Sequence, residues 1–304
     1  MTHKCPHPLS YDWRAELRRL DGAYAPSTMK SYRVNVEKFV SWCDAMGYEA
    51  FPASVETLTA YLEDQAKYCA ISTIQTGLYA IKKIHRLFDL PDVTRSEDIN
   101  IVMRRIRRSK YSRPKQAKAL TENHKNNFIN ALPHTEWGLR DKAIIALGYD
   151  ILARRSELVA IKTADIEFRA DGTAKILIRR SKTDQFGGGR IAFTSRETAN
   201  LLSEWLDWRG EFIEYLFCPI YHGKALNRSL SPTSVKRVIK KAAVLAGFEE
   251  EDVAGFSGHS MRVGAAQDLL CAGFDTAAIM RAGGWKSVDV LARYLETAEH
   301  NVWL

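Results

Sequence analysis

The 304-residue sequence has no apolar run long enough to cross a bilayer; candidates such as Ala143 to Leu147 are core-sized. Its opening stretch, MTHKCPHPLSYDWRAELRRL, also lacks the continuous apolar segment of a secretory signal. Neither a membrane partner nor export is expected, and the expected location is the cytoplasm. The five cysteines (Cys5, Cys43, Cys69, Cys218 and Cys271) are odd in number and widely spaced, with no C-x-x-C pair. That argues against a disulfide framework and fits a reducing compartment. His3, Cys5 and His7 alternate near the start, a spacing that matches no familiar zinc pattern, so no metal site is expected there. There is no internal repeat, no P-loop, no H-E-x-x-H and no G-x-S-x-G.

What is present suffices for a packed core: 46% of residues are hydrophobic and 26% charged. The length sets a soft expectation of about two domains. Acidic residues are missing between Ile101 and Lys118, where Arg104, Arg105, Arg107, Arg108, Lys110, Arg113, Lys115 and Lys118 fall together. Those eight cations equal the whole net charge of +8, so the excess comes from one short stretch. Solvation alone would not demand a single sign of charge. A strap of uncompensated cations neutralises several phosphates, which points to nucleic acid ahead of an acidic protein surface. Pro114 argues against one continuous helix through this stretch, which is expected as a linker over 109–119.

Before the linker the period is helical. Tyr32, Val36, Phe39, Val40 and Cys43 form a buried stripe, opened by Pro26 and Ser27 and stopped by Gly47. Further helices are expected over Ser54 to about Lys67, through Ile74, Leu78, Ile81, Ile84 and Phe88, and from near Asp98 into the arginines. The expectation is a four-helix bundle over 25–108, preceded by an N-terminal tail over 1–24. Beyond the linker, over 120–304, short strands are expected at Ile166–Phe168, Lys175–Ile178 and Arg190–Phe193, forming a three-stranded antiparallel sheet among helices. Thr194 and Glu197 read as a capping box for the next helix. Ser231-Pro232 opens another, with a basic face of Lys236, Arg237, Lys240 and Lys241, while Glu249 to Asp252 reads as a solvated acidic loop. The fold class is therefore mainly α, a helical bundle followed by a mixed α+β domain.

Taken singly, the chemistry-bearing residues have ordinary explanations. Arg154 and Glu157 sit three apart, as a helix-face ion pair would; Lys182 ends a strand; His259 and Arg262 lie near a helix start; Trp285 follows two glycines; Tyr294 lies in LARYL. As a set they describe phosphoryl transfer. Two guanidiniums grip nonbridging oxygens, a histidine and an indole N–H add donors, a lysine protonates the departing oxygen, and a tyrosine attacks phosphorus.

The order Arg154, Lys182, His259-x-x-Arg262, Trp285, Tyr294 is similar to that of the tyrosine recombinases. The segment GHSMRVGAAQDLLCAG…IMRAGGWKSVDVLARYL resembles the Cre-type phage recombinases, as do STIQTGLYAIKKIHRLFDLP and INIVMRRIRR upstream. The resemblance implies a C-shaped DNA clamp and a catalytic set of Arg154, Glu157, Lys182, His259, Arg262, Trp285 and Tyr294. Tyr294 would form a 3′-phosphotyrosine, Lys182 on a glycine-containing loop would act as general acid, and strands would exchange through a Holliday junction without metal, ATP or cofactor. It further implies double-stranded DNA with an inverted-repeat site as partner, and a homo-tetramer across two sites with a dimer on each. A nucleoid-associated protein of phage, plasmid or bacterial origin would follow. Candidate DNA contacts are Lys30, Ser31, Gln75, Thr76, Arg104, Arg105, Arg107, Arg108, Lys236, Arg237 and Lys240. Only ten residues follow Tyr294, ending in Val302, Trp303 and Leu304, which are expected to enter a neighbouring protomer. Alternatives are a Xer-type dimer resolvase, a type IB topoisomerase, a metal-dependent transposase and a catalytically silent DNA-binding module.

Overall fold

The computed structural model describes residues 11–110, 116–179 and 188–298. The chain divides into two compact units between Pro114 and Lys115.

Among its described residues the first unit is helical: α1 (Trp13–Arg18), α2 (Pro26–Met46), α3 (Val55–Tyr68), α4 (Ile71–Leu87) and α5 (Glu97–Ser109), with a 3₁₀ turn at Val93–Arg95. Local chemistry sets the boundaries. Pro26 occupies the first turn of α2 and Gly47 ends it at φ 73°, a left-handed position that costs glycine little. Ser54 caps α3 by accepting from the Thr57 N–H at 3.1 Å. In α5, Glu97 and Asp98 lie in the first turn and Arg107 and Arg108 in the last, so side-chain charge opposes the helix dipole at both ends. Val36, Phe39 and Cys43 are fully buried; Tyr32 and Val40 pack at the margin.

Residues 11–24 do not behave as the expected tail. Asp12 caps α1 through the Arg14 and Ala15 N–H groups at 3.0 Å, and Trp13 and Leu17 are buried beside Val36, Ala80 and Ile84. A six-residue helix is too short to display a hydrophobic period, so only its burial reveals it.

The second unit runs α6 (Glu122–Ala131), α7 (Glu136–Asp150), α8 (Arg155–Leu158), β1 (Ile166–Phe168), β2 (Ala174–Ile178), β3 (Arg190–Phe193), α9 (Arg196–Arg209), β4 (Ile220–Tyr221), β5 (Lys224–Ala225), α10 (Pro232–Leu245), α11 (Glu250–Gly255), α12 (Ser260–Cys271), α13 (Thr276–Gly283) and α14 (Val288–Leu295). The β1-β2-β3 sheet is antiparallel, with Ile176 opposite Ile166 on one side and Ala192 on the other. Its inner face joins a core built on α7, α9 and α10 that includes Phe128, Trp205, Phe217 and Phe256. Gly264 lets α12 press against the chain at Leu120, because a Cβ there would lie 1.8 Å from the Leu120 carbonyl oxygen.

Three local expectations are corrected. The cap of α9 is Ser195, which accepts from the Thr198 N–H at 3.2 Å; Thr194 is instead engaged as acceptor for the Ala174 N–H at 2.9 Å, at the sheet end. The acidic run is a helix, α11, and its Asp252 pairs with Lys118. The end of the supposed linker is bonded into this unit too: the Lys118 N–H donates to the Gly255 carbonyl at 3.0 Å and the Leu120 N–H to Ser260 at 2.9 Å.

Candidate active site

The site grows from the turn that ends α7. Leu152 has a left-handed backbone, φ 47°, costing about 1–2 kcal/mol for a residue with a Cβ. The turn presents two successive carbonyls to two guanidiniums. Ile151 accepts from Arg190 Nη2 at 2.8 Å, and Leu152 accepts from Arg262 Nη1. Arg154 then caps α8. Glu157 Oε2 accepts from the Arg154 N–H at 3.1 Å and Oε1 from Arg154 Nη1 at 2.5 Å. The Glu157 carboxylate is buried, with the Arg190 guanidinium 3.7 Å from its other oxygen. A single carboxylate thus orients two arginines, far more than a solvated helix-face pair would do.

Arg190 is the residue that sequence reasoning missed. It opens β3, is largely buried, and donates additionally to the Ala282 carbonyl at 2.7 Å, which ties the sheet to the end of α13. Burial, offset by the nearby Glu157 carboxylate, pulls its guanidinium below the ordinary arginine range. In the sequence it was only a cation at the start of a strand.

Arg262, on the first turn of α12, is fully buried. Burial first, and then repulsion from Arg154, pull its guanidinium down to about 10, which leaves it charged at neutral pH. Its plane lies over the Trp285 ring with Cζ 3.8 Å from the centroid. The Arg262 Nε and Nη2 and the Trp285 Nε1 find no hydrogen-bond partner among the described residues. Buried donors without acceptors are costly, and these three belong to one stack. The indole is seated on Gly283, where a Cβ would stand 1.8 Å from a ring carbon. The Tyr294 ring, on α14, meets Trp285 edge-on with centroids 5.3 Å apart and lies 6.0 Å from Arg262 Cζ.

The structure therefore brings Arg154, Glu157, Arg262, Trp285 and Tyr294 into one constellation, with His259 exposed at the N-cap position of α12. Three guanidiniums and one carboxylate leave an excess of positive charge, and the unused donors suit an oxyanion. Lys182 lies outside the described residues, as do Arg113, Lys115, Val302, Trp303, Leu304 and the His3, Cys5, His7 group. No three His, Cys, Asp or Glu side chains among the described residues are grouped to hold a metal ion, and no described helix is long and apolar enough to cross a membrane.

The candidate DNA contacts divide into surface and structural groups. Lys30 and Thr76 are exposed, and Ser31 and Gln75 half-buried, near the starts of the packed helices α2 and α4. Arg104 and Arg105 are exposed and lie 3.6 and 3.7 Å from Glu97 and Glu63; Arg107 and Arg108 are exposed on the same helix. Lys236 and Arg237 are exposed on α10. Lys240 departs from this pattern: its Nζ donates to the Val253 carbonyl at 2.8 Å and the Ala254 carbonyl at 3.3 Å, where it neutralises the end of α11.

Residues 118–301 match the family model described as the phage integrase family. An integrase/recombinase XerD homolog of Selenomonas ruminantium is 32% identical over 290 residues, 92% of this chain and 84% of the relative. Recombinase Cre of Escherichia phage P1 is 29% identical over 294 residues, 91% of this chain and 84% of its own. The fold is shared with XerH site-specific recombinase bound to palindromic difH substrate (TM-score 0.64, 16% identity, 89% of this chain and 76% of that one). It is also shared with a lambda integrase dimer bound to a COC′ core site (TM-score 0.63, 14% identity, 95% and 78%). The site-bearing unit thus lies within a family whose enzymes cleave and rejoin DNA, and this chain belongs to it: it is a tyrosine recombinase of the phage integrase family.

Proposed function

We propose that this site-specific recombinase breaks and rejoins DNA through a covalent 3′-phosphotyrosine on Tyr294. The phenolic oxygen releases its proton to solvent and attacks the scissile phosphorus, the bond from phosphorus to the 5′ oxygen breaks, and Lys182 gives the leaving oxygen its proton, releasing a 5′-hydroxyl. A 5′-hydroxyl from a second strand then reverses the step. One phosphodiester is exchanged for another, so the chemistry needs no ATP. Arg154 and Arg262 hold the nonbridging oxygens, His259 and Trp285 donate to them, and Glu157 positions Arg154. The observation that carries the reading is the stack of Arg262, Trp285 and Tyr294, in which three buried donor atoms have no acceptor among the described residues, beside a phenol ring. In this reading a phosphate entering beside the Tyr294 ring would satisfy those donors.

The wider reading is a dimer on each inverted-repeat site and a tetramer joining two sites, with exchange through a Holliday junction. The exposed arginines of α5, the basic face of α10 at Lys236 and Arg237, and Lys30, Ser31, Gln75 and Thr76 supply the DNA-facing surfaces. Trp285 favours a Cre-type recombinase. The 32% identity to a XerD homolog favours a Xer-type resolvase equally well. Selecting bound duplexes from a random library with Tyr294→Phe, then offering a nicked version of the winning site to the wild-type chain, tests the chemistry. A covalent protein–DNA band that is resistant to denaturant, persists in EDTA and is absent from Tyr294→Phe is expected. An adduct retained by Tyr294→Phe overturns it. Two such sites on one plasmid then separate the readings: deletion by this chain alone fits the Cre type, and a requirement for a second recombinase fits the Xer type.

A further inference from the structure

α14 is only eight residues long, and a helix of that length does not hold its place by itself. Leu291 anchors its inner face and Trp285 packs on the Tyr294 ring. Its C-terminal carbonyls have no acceptor role within the helix and need donors from elsewhere. One donor comes from α12. Gln267 is buried, and its amide nitrogen donates to the Tyr294 carbonyl at 2.8 Å and to the Thr297 hydroxyl at 2.9 Å. Both amide hydrogens are therefore spent on the segment that carries the tyrosine.

The placement of Gln267 on α12 matters as much as the bonds. Arg262, whose guanidinium covers Trp285 and faces the Tyr294 ring, lies five residues earlier on that helix, a rise of about 7.5 Å. One helix thus addresses Tyr294 twice: Arg262 faces its ring from 6.0 Å, and Gln267 bonds its main chain. Any shift of α14 along α12 moves the phenol relative to the guanidinium, and the Gln267 amide opposes that shift. A sub-ångström change in the line of attack on phosphorus lowers a rate steeply, by up to about 100-fold for 1 Å.

We propose that Gln267 is a positioning residue for the nucleophile, fixing the Tyr294 main chain against α12 so that the phenol meets a phosphate held by Arg262. The proposal rests on the phosphotyrosine reading above. Gln267→Met keeps the shape and removes both donors. Gln267→Glu keeps the shape, and its ionised carboxylate removes both donations: the Thr297 bond survives only in reverse, with the hydroxyl donating, and nothing is offered to the Tyr294 carbonyl. Single-turnover adduct formation is measured on the selected nicked duplex and on the same duplex with sulfur in place of the bridging 5′ oxygen, alongside duplex affinity and urea unfolding. A sulfur leaving group departs without a proton, so it rescues loss of a general acid but not misplacement of a nucleophile.

The expected result is adduct formation slowed about tenfold or more by both variants on both duplexes, with duplex affinity unchanged. A wild-type rate in the folded variants overturns the proposal, as does rescue by the sulfur duplex. If the Met variant fails to fold, the Glu variant carries the same measurement. No adduct from the wild-type chain overturns the phosphotyrosine reading itself, and the positioning role with it. Normal wild-type adduct formation with unaffected variants overturns the positioning role alone.

Discussion

Gly283→Ala probes the seat on which the indole rests. The added methyl would lie 1.8, 2.3 and 2.7 Å from three carbons of the Trp285 ring, so the ring must move. Overpacking of this kind costs about 1–3 kcal/mol. Displacing the ring also loosens the Arg262 stack, a desolvated cation–π contact of about 2 kcal/mol, and the edge-on Tyr294 contact of about 1 kcal/mol. Alanine's helical advantage over glycine returns at most about 1 kcal/mol. The balance is a loss of about 3–5 kcal/mol, which lowers the urea midpoint of the second unit by about 1–2 M. Adduct formation on a nicked duplex is expected to fall with it, because Arg262, Trp285 and Tyr294 move as one stack. The decisive measurement is the same substitution in a Trp285→Ala background, where the methyl has room and the extra cost vanishes. An equal cost in both backgrounds, or a Gly283→Ala protein with wild-type midpoint and adduct yield, would refute the reasoning.

Arg190→Met removes donors from two main-chain carbonyls and a cation from beside Glu157, costing about 3 kcal/mol on the scale of charged hydrogen bonds; chemical denaturation checks this. Adduct formation is expected to drop more than duplex affinity, and equal losses in both would count against an orienting role. In the first unit His85 is buried, accepts from the Ala53 N–H at 3.1 Å through Nε2 and lies 2.9 Å from the Ile81 carbonyl through Nδ1, an arrangement that suits the neutral ring. Burial lowers its pKa, so the unfolded chain takes up a proton first as pH falls. Its contribution is complete above about pH 6.5 and declines below that value. His124 is shifted the same way, chiefly by burial, so the comparison is with His85→Gln. That variant is expected to show a smaller drop in urea midpoint between pH 7.5 and pH 5.5, and an unchanged drop would sink the assignment.

Much of the fold was legible from local signals. Proline, glycine and serine at helix ends, and short apolar runs such as Ile176 to Ile178 after the Asp171-Gly172 turn, mark elements whose boundaries depend on nearby atoms. Where distant atoms intervene, the local reading fails in specific ways. Thr194 was free to cap α9 until Ala174 arrived across the sheet. Lys240 looked like a phosphate ligand until α11 placed two carbonyls above it. Trp13 and Leu17 gain meaning only from the helices that bury them.

The sequence alone determined the basic stretch and, separately, two guanidiniums and a tyrosine in family order, because residue type and spacing are all that such patterns require; it did not single out Arg190. Tertiary structure decided the relations among them. Glu157 divides its carboxylate between Arg154 and Arg190, a left-handed Leu152 presents its carbonyl to Arg262, and Gln267 spans two helices to hold the main chain of Tyr294. Those relations depend on hydrogen-bond geometry between segments up to 110 residues apart, and linear spacing carries no information about them.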